Sequence, residues 1–187
     1  MEQKSNFNPT NTSLVVNQIE SGLPHWLIKV GFVLMVVQAI CVEDHLCTWI
    51  ETHGLEILRT IVFLSGDFIL FYAMMRGMRK LSRPYTWMWW ALIVADVAGC
   101  LTFAVPNSTI NLALAIAQPL FFLPLGISIA YFYRGLLQWV GILLVAHMVT
   151  IIIFPIMLMP FIPFILIDIV AILTQMALAW VMLKVLI

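Results

Sequence analysis

Between His25 and Lys184 the chain runs through six apolar stretches separated by short polar connections, at roughly 25–43, 56–76, 85–105, 111–133, 136–155 and 161–184. Each is close to the ~20 residues a helix needs to cross about 30 Å of hydrocarbon. A helix at an aqueous surface is apolar on one face only, whereas these are apolar all round. With 63% hydrophobic and 10% charged residues, the composition leaves no room for a soluble domain. The predicted fold is all-α: a polytopic membrane helix bundle of about six transmembrane helices over 25–187, with a polar tail over 1–24.

That tail has no basic start followed by an apolar core, so no cleavable signal peptide is expected. Leu14, Val15 and Ile19 make a weak apolar stripe, which predicts a frayed tail or a short surface helix over 13–21. Orientation follows from the cations, because loops rich in Lys and Arg stay cytoplasmic. Arg76, Arg79, Lys80 and Arg83 between spans 2 and 3, Arg134 between spans 4 and 5, Lys4 and Lys184 all fall on one side. Both termini are therefore expected in the cytoplasm. Six of the seven tryptophans, Trp26, Trp87, Trp89, Trp90, Trp139 and Trp180, fall at the same helix ends, the depth an amphipathic ring prefers.

Against this background the ionisable residues inside the spans stand out. An aspartate at the centre of a spanning helix opposes insertion by roughly 2.5 to 3.5 kcal/mol, and the chain places Asp67, Asp96 and Asp168 there, with His147. Pairing, a hydrated cavity, a proton or a bound ligand must offset that cost. Counting from helix ends, Asp67, Asp96 and His147 fall near mid-membrane, and Gln38, Gln118 and Asp168 in the outer half. All six are candidate substrate- or proton-binding residues in one polar layer. Asp67, Asp96, His147 and Asp168 also form a conceivable divalent-metal set, although no HExxH or similarly spaced pair supports it. No particular cofactor is implied.

Other features qualify the picture. In span 4, Pro119 and Pro124 remove donors from the carbonyls of Ala115 and Leu120, predicting a kinked or unwound helix. The apolar turn from Ile153 to Phe164 contains three prolines and no polar side chain, as expected of an embedded turn. Cys41, His45, Cys47 and His53 match no standard zinc spacing. Spans 3 and 4 overlay spans 5 and 6 at an offset of 50 or 51 residues, matching Asp96 to His147 and Gln118 to Asp168, a pattern duplicated transporters share.

Size, six spans and cytoplasmic termini resemble the substrate-binding membrane subunits of energy-coupling-factor vitamin transporters. The chain departs from their pattern in span 1, where LIKVGFVLMVVQAI lacks the small-residue AxxxA contact. Three function classes follow from the residues. The first is a small-solute or ion transporter, or its membrane-embedded binding subunit, coupling protons through the Asp/His layer. The second is a structural or assembly subunit of a membrane complex, and the third a membrane-embedded metal-dependent hydrolase. Expected partners are the lipid bilayer, a small solute or ion, and further copies or other subunits of a membrane complex. A formal net charge of zero and the lack of a GxxxxGK loop point away from nucleic acid and from nucleotide hydrolysis by this chain.

Overall fold

Each of the six apolar stretches carries a helix over its described residues. A computed structural model describes residues 14–41, 52–104, 108–150 and 164–187. In chain order these form β1 (Leu14–Val15), α1 (His25–Cys41), α2 (Glu56–Met78), α3 (Thr86–Ala104), α4 (Ser108–Phe132), β2 (Tyr133–Arg134), α5 (Leu136–Met148) and α6 (Phe164–Leu186). Two helices, over Thr60–Met78 and Leu166–Leu186, are long and apolar enough to cross a membrane; the described parts of the other four contribute shorter apolar stretches. His45 and Cys47 of the first loop, and residues 153–163 of the apolar turn, fall outside those described.

Each helix packs on the next in sequence, and α1 closes the ring on α6, with α2 also touching α6. Glycine sets the closest approaches. A Cβ at Gly66 on α2 would lie 2.8 Å from the Met35 backbone nitrogen on α1, and one at Gly141 on α5 would lie 2.6 Å from the Gly126 carbonyl oxygen on α4. Backbones brought this near exclude any side chain between them. The core is rich in methionine, whose flexible thioether fills irregular gaps, and is anchored by Phe71 between Trp89 and Phe122, with ring centroids 6.1 and 5.9 Å away.

The helices are as apolar outside as inside. Val30, Val33, Val37 and Ile40 form an exposed stripe on α1, and Leu166, Ile169, Val170 and Leu173 another on α6, each at three- and four-residue spacing. Every other helix also turns large apolar side chains outward. Of the six clustered tryptophans, Trp26, Trp87, Trp90, Trp139 and Trp180 face outward as a collar. Trp89 instead points inward and donates its ring N–H to the Met78 sulfur. Helix α4 runs through Pro119 and Pro124 without interruption, so the unwinding anticipated for span 4 is not seen. Packing on both α3 and α5 holds it.

The N-terminal segment differs most from expectation. Residues 14–23 are neither helical nor a loose tail; they form an extended strap across one end of the bundle. Leu14 and Val15 pair in parallel with Tyr133 and Arg134. The strap then supplies what two helix ends lack. The Leu136 and Leu137 amides opening α5 donate to the Asn17 side-chain oxygen and the Val16 carbonyl. At the close of α6, the carbonyls of Val185 and Ile187 accept from the Ile19 amide and the Gln18 side chain. Gly135, at φ +78°, makes the corner between β2 and α5, a conformation that favours glycine.

Val16 and Ile19 are buried beneath the strap, Ile19 over the bare backbone of Gly77, and Lys80 pairs with Glu20 at 2.8 Å. The hydrogen bond and charge of Lys80 hold the Glu20 carboxyl below its ordinary range. Ile19→Ala is expected to destabilise the protein by about 2 to 4 kcal/mol, the range for emptying a buried aliphatic site. Thermal unfolding in detergent measures the loss, and limited proteolysis shows whether the strap is released first.

Candidate functional site

Gln38, Asp67 and Asp96 form a hydrogen-bonded chain across three successive helices. The Gln38 amide on α1 donates to Asp67 Oδ2 on α2 at 2.8 Å. The Asp67 carboxyl in turn interacts with that of Asp96 on α3, by charge and by a side-chain hydrogen bond. Local sequence explains the meeting. Gly66 lets the backbone of α2 approach that of α1 at Met35, so the next residue, Asp67, comes within reach of Gln38, one turn beyond Met35.

Chemistry then constrains protonation. An ionised carboxylate can only accept hydrogen bonds, so a carboxyl–carboxyl contact needs a proton on one partner. Asp67 accepts from Gln38 at Oδ2, and the two aspartates share the one proton between them. Two buried acceptors of this group, Gln38 Oε1 and Asp67 Oδ1, have no hydrogen-bond partner among the described residues. Asp67 is only 3% exposed, so bulk water does not make up the shortfall. The arrangement is an acceptor-rich site that a proton, a cation or an N–H or O–H donor would complete.

The other expected residues take different places. Measured from the strap end at 1.5 Å per residue, Gln38, Asp67, Asp96 and His147 lie about 15 to 20 Å along their helices, Gln118 about 21 Å and Asp168 about 27 Å. His147 on α5 therefore shares the depth of the acid pair. Its ring is buried, its Nδ1 has no hydrogen-bond partner among the described residues, and neither Asp67 nor Asp96 acts on it. Asp168 is half-buried near the start of α6. Gln118 belongs to α4, but its side chain lies outside the described residues.

Three polar residues of the interior were not anticipated. Thr150, just after α5, and Thr174 on α6 bring their hydroxyl oxygens to 3.4 Å, each also donating to a carbonyl of its own helix. Gln175, beside Thr174, is buried at the depth of His147. The Thr174–Gln175 pair is the sole polar break between Asp168 and Lys184 and is visible in the sequence once that interval is scanned. Among the described residues, no three His, Cys, Asp or Glu side chains come together to hold a metal ion.

Comparison with known proteins gives no further guidance: no family model, no curated protein and no solved structure matches this chain.

Proposed function

We propose that the chain is a six-span integral membrane protein with cytoplasmic termini. On this reading it is a transporter of a small solute or ion, or the membrane-embedded binding subunit of one, and Gln38, Asp67 and Asp96 form its proton- and solute-binding site. The observation that carries the reading is a hydrogen-bonded pair of carboxyls, Asp67 buried and Asp96 half-buried, with unpartnered acceptors beside them, halfway along helices whose outward faces are apolar. Scaffolding needs no such group, since apolar residues would pack the same helices without a desolvation cost. Exposed aliphatic stripes fit lipid, the tryptophan collar fits the interfacial depth of one leaflet, and the cations gathered at the strap end fit its cytoplasmic placement.

Function then follows as competition. A solute bearing a positive charge or a hydrogen-bond donor meets the free acceptors of Gln38 and Asp67 and displaces the shared proton, so occupancy and protonation become linked. His147, Gln118 and Asp168 complete the polar layer on this reading.

Dicyclohexylcarbodiimide, an apolar reagent that reacts with protonated carboxylic acids, tests the proposal in the purified protein. The expected result is an adduct on Asp96, mapped by tandem mass spectrometry, whose yield falls as pH rises and the proton is lost. Absence of an adduct on both Asp96 and Asp67 across the pH range would sink the reading.

A further inference from the structure

We propose that Arg83 and Arg134 form a binding site for the headgroup of an anionic phospholipid, at the strap end of α3 and α4. The proposal rests on the reading that the bundle spans a bilayer.

Both arginines are held by structure rather than left on mobile loops. The Tyr133 hydroxyl donates to the Arg83 carbonyl at 2.7 Å, fixing the α2–α3 connection against the end of α4. The Arg83 guanidinium lies 3.6 Å from the centre of the Phe132 ring. Arg134 follows Tyr133 and is clamped by β1, its carbonyl accepting from the Val16 amide at 2.9 Å. One tyrosine therefore ties the two sites together: its ring fixes Arg83 and its backbone leads into Arg134. Both side chains remain exposed.

Among the described residues no acidic side chain pairs with either arginine. Among the described residues Glu20 is the only acid at this end, and it is paired with Lys80. Arg83 has an aromatic face for a neighbour and Arg134 a strand edge. Beneath them the outward faces of α3 and α4 are apolar, with Trp87 and Val94 exposed on one helix and Tyr131 and Ile127 on the other. Two cations above two apolar helix faces match an anionic headgroup above its acyl chains. Arginine also pairs with phosphate in a bidentate fashion that lysine does not reproduce. The same chemistry distinguishes this place from the Lys80 site, where an ammonium already has its counter-ion.

The test is native mass spectrometry of the full chain, stripped of lipid in detergent and titrated in parallel with phosphatidylglycerol and phosphatidylcholine. The native protein is expected to retain phosphatidylglycerol in preference to phosphatidylcholine. Arg83→Gln and Arg134→Gln are each expected to lower that preference about fivefold, the contribution of one basic residue at an anionic surface. Lys80→Gln is expected to leave it unchanged. Circular dichroism of each variant checks that the bundle is intact; Arg134, exposed and held through its backbone, is the variant least able to disturb the fold.

Equal retention of the two lipids by the native protein, or a preference lost as much in Lys80→Gln as in the arginine variants, would overturn the proposal. Failure of the membrane reading itself has a separate signature. Neither lipid would then be retained, and the chain would stay monodisperse after detergent removal.

Discussion

Asp96→Asn is expected to leave the bundle folded while abolishing the proton coupling proposed for the Asp67–Asp96 pair. Asparagine has nearly the shape of aspartic acid, and its amide N–H₂ can donate to Asp67 as the protonated carboxyl does, so the chain from Gln38 through Asp67 persists. What disappears is the exchangeable proton. In proteoliposomes carrying an internal pH indicator, solute-driven proton movement is expected to drop to the level of empty vesicles, with carbodiimide no longer labelling position 96. Thermal unfolding is expected to change little. Asp67→Ala serves as the contrast. It removes the acceptor of the Gln38 amide and opens a void between three helices, so a cost of about 1 to 3 kcal/mol is expected with the same loss of function. Were Asp96→Asn to destabilise as much as Asp67→Ala and leave proton movement intact, the pair would be a packing device and the transport reading would fall.

The contrast between depth and azimuth explains which parts of this site were legible in the sequence. Depth is obtained by counting residues from a helix end, and it places Asp67, Asp96 and His147 at one level. Azimuth is not, because helices apolar on every side show no face that marks the interior. The sequence therefore treats Asp96 and His147 as equivalent, whereas the structure joins Asp96 to Asp67 and leaves the His147 ring without a bond to either carboxyl. Helix positions were legible for the opposite reason: runs such as the one from Phe164 to Leu186 admit almost no alternative to a helix.

The strap was illegible because nothing local creates it. Leu14, Val15, Val16 and Ile19 are too few and too interrupted by polar residues to give a periodic signal. Their structure is paid for by partners more than a hundred residues away, at Tyr133 to Leu137 and Val185 to Ile187. An unwound span 4, one of the two outcomes its prolines allowed, is avoided for a related reason. Pro119 and Pro124 each remove a hydrogen bond from α4, yet the helix continues, because neighbours on both sides hold its backbone in place.

The glycine contact between α4 and α5 gives the second large effect. A Cβ at Gly141 would lie 2.5 Å from the Ala130 backbone nitrogen, 2.6 Å from the Gly126 carbonyl oxygen and 3.0 Å from Ile129 Cβ. Backbone atoms of a packed helix cannot rotate aside as the end of a flexible side chain can, so the two helices must separate. Gly141→Ala is expected to cost about 2 to 3 kcal/mol, at the upper end of overpacking penalties, and Gly141→Leu to prevent recovery of folded protein. Gly126→Ala meets the Gly141 carbonyl at 2.8 Å and is expected to behave similarly. Because either substitution forces the same separation, the double variant is expected to cost clearly less than the sum of the two singles. Detergent-solubilised thermal unfolding of the four proteins closes that cycle. Full additivity would show that the glycines act at independent places and that the close approach of α4 and α5 does not hold the bundle. The outward-facing Leu120, 63% exposed on the same helix, supplies the control, since Leu120→Ala trims a side chain that is not part of the core and is expected to change stability by less than about 0.5 kcal/mol.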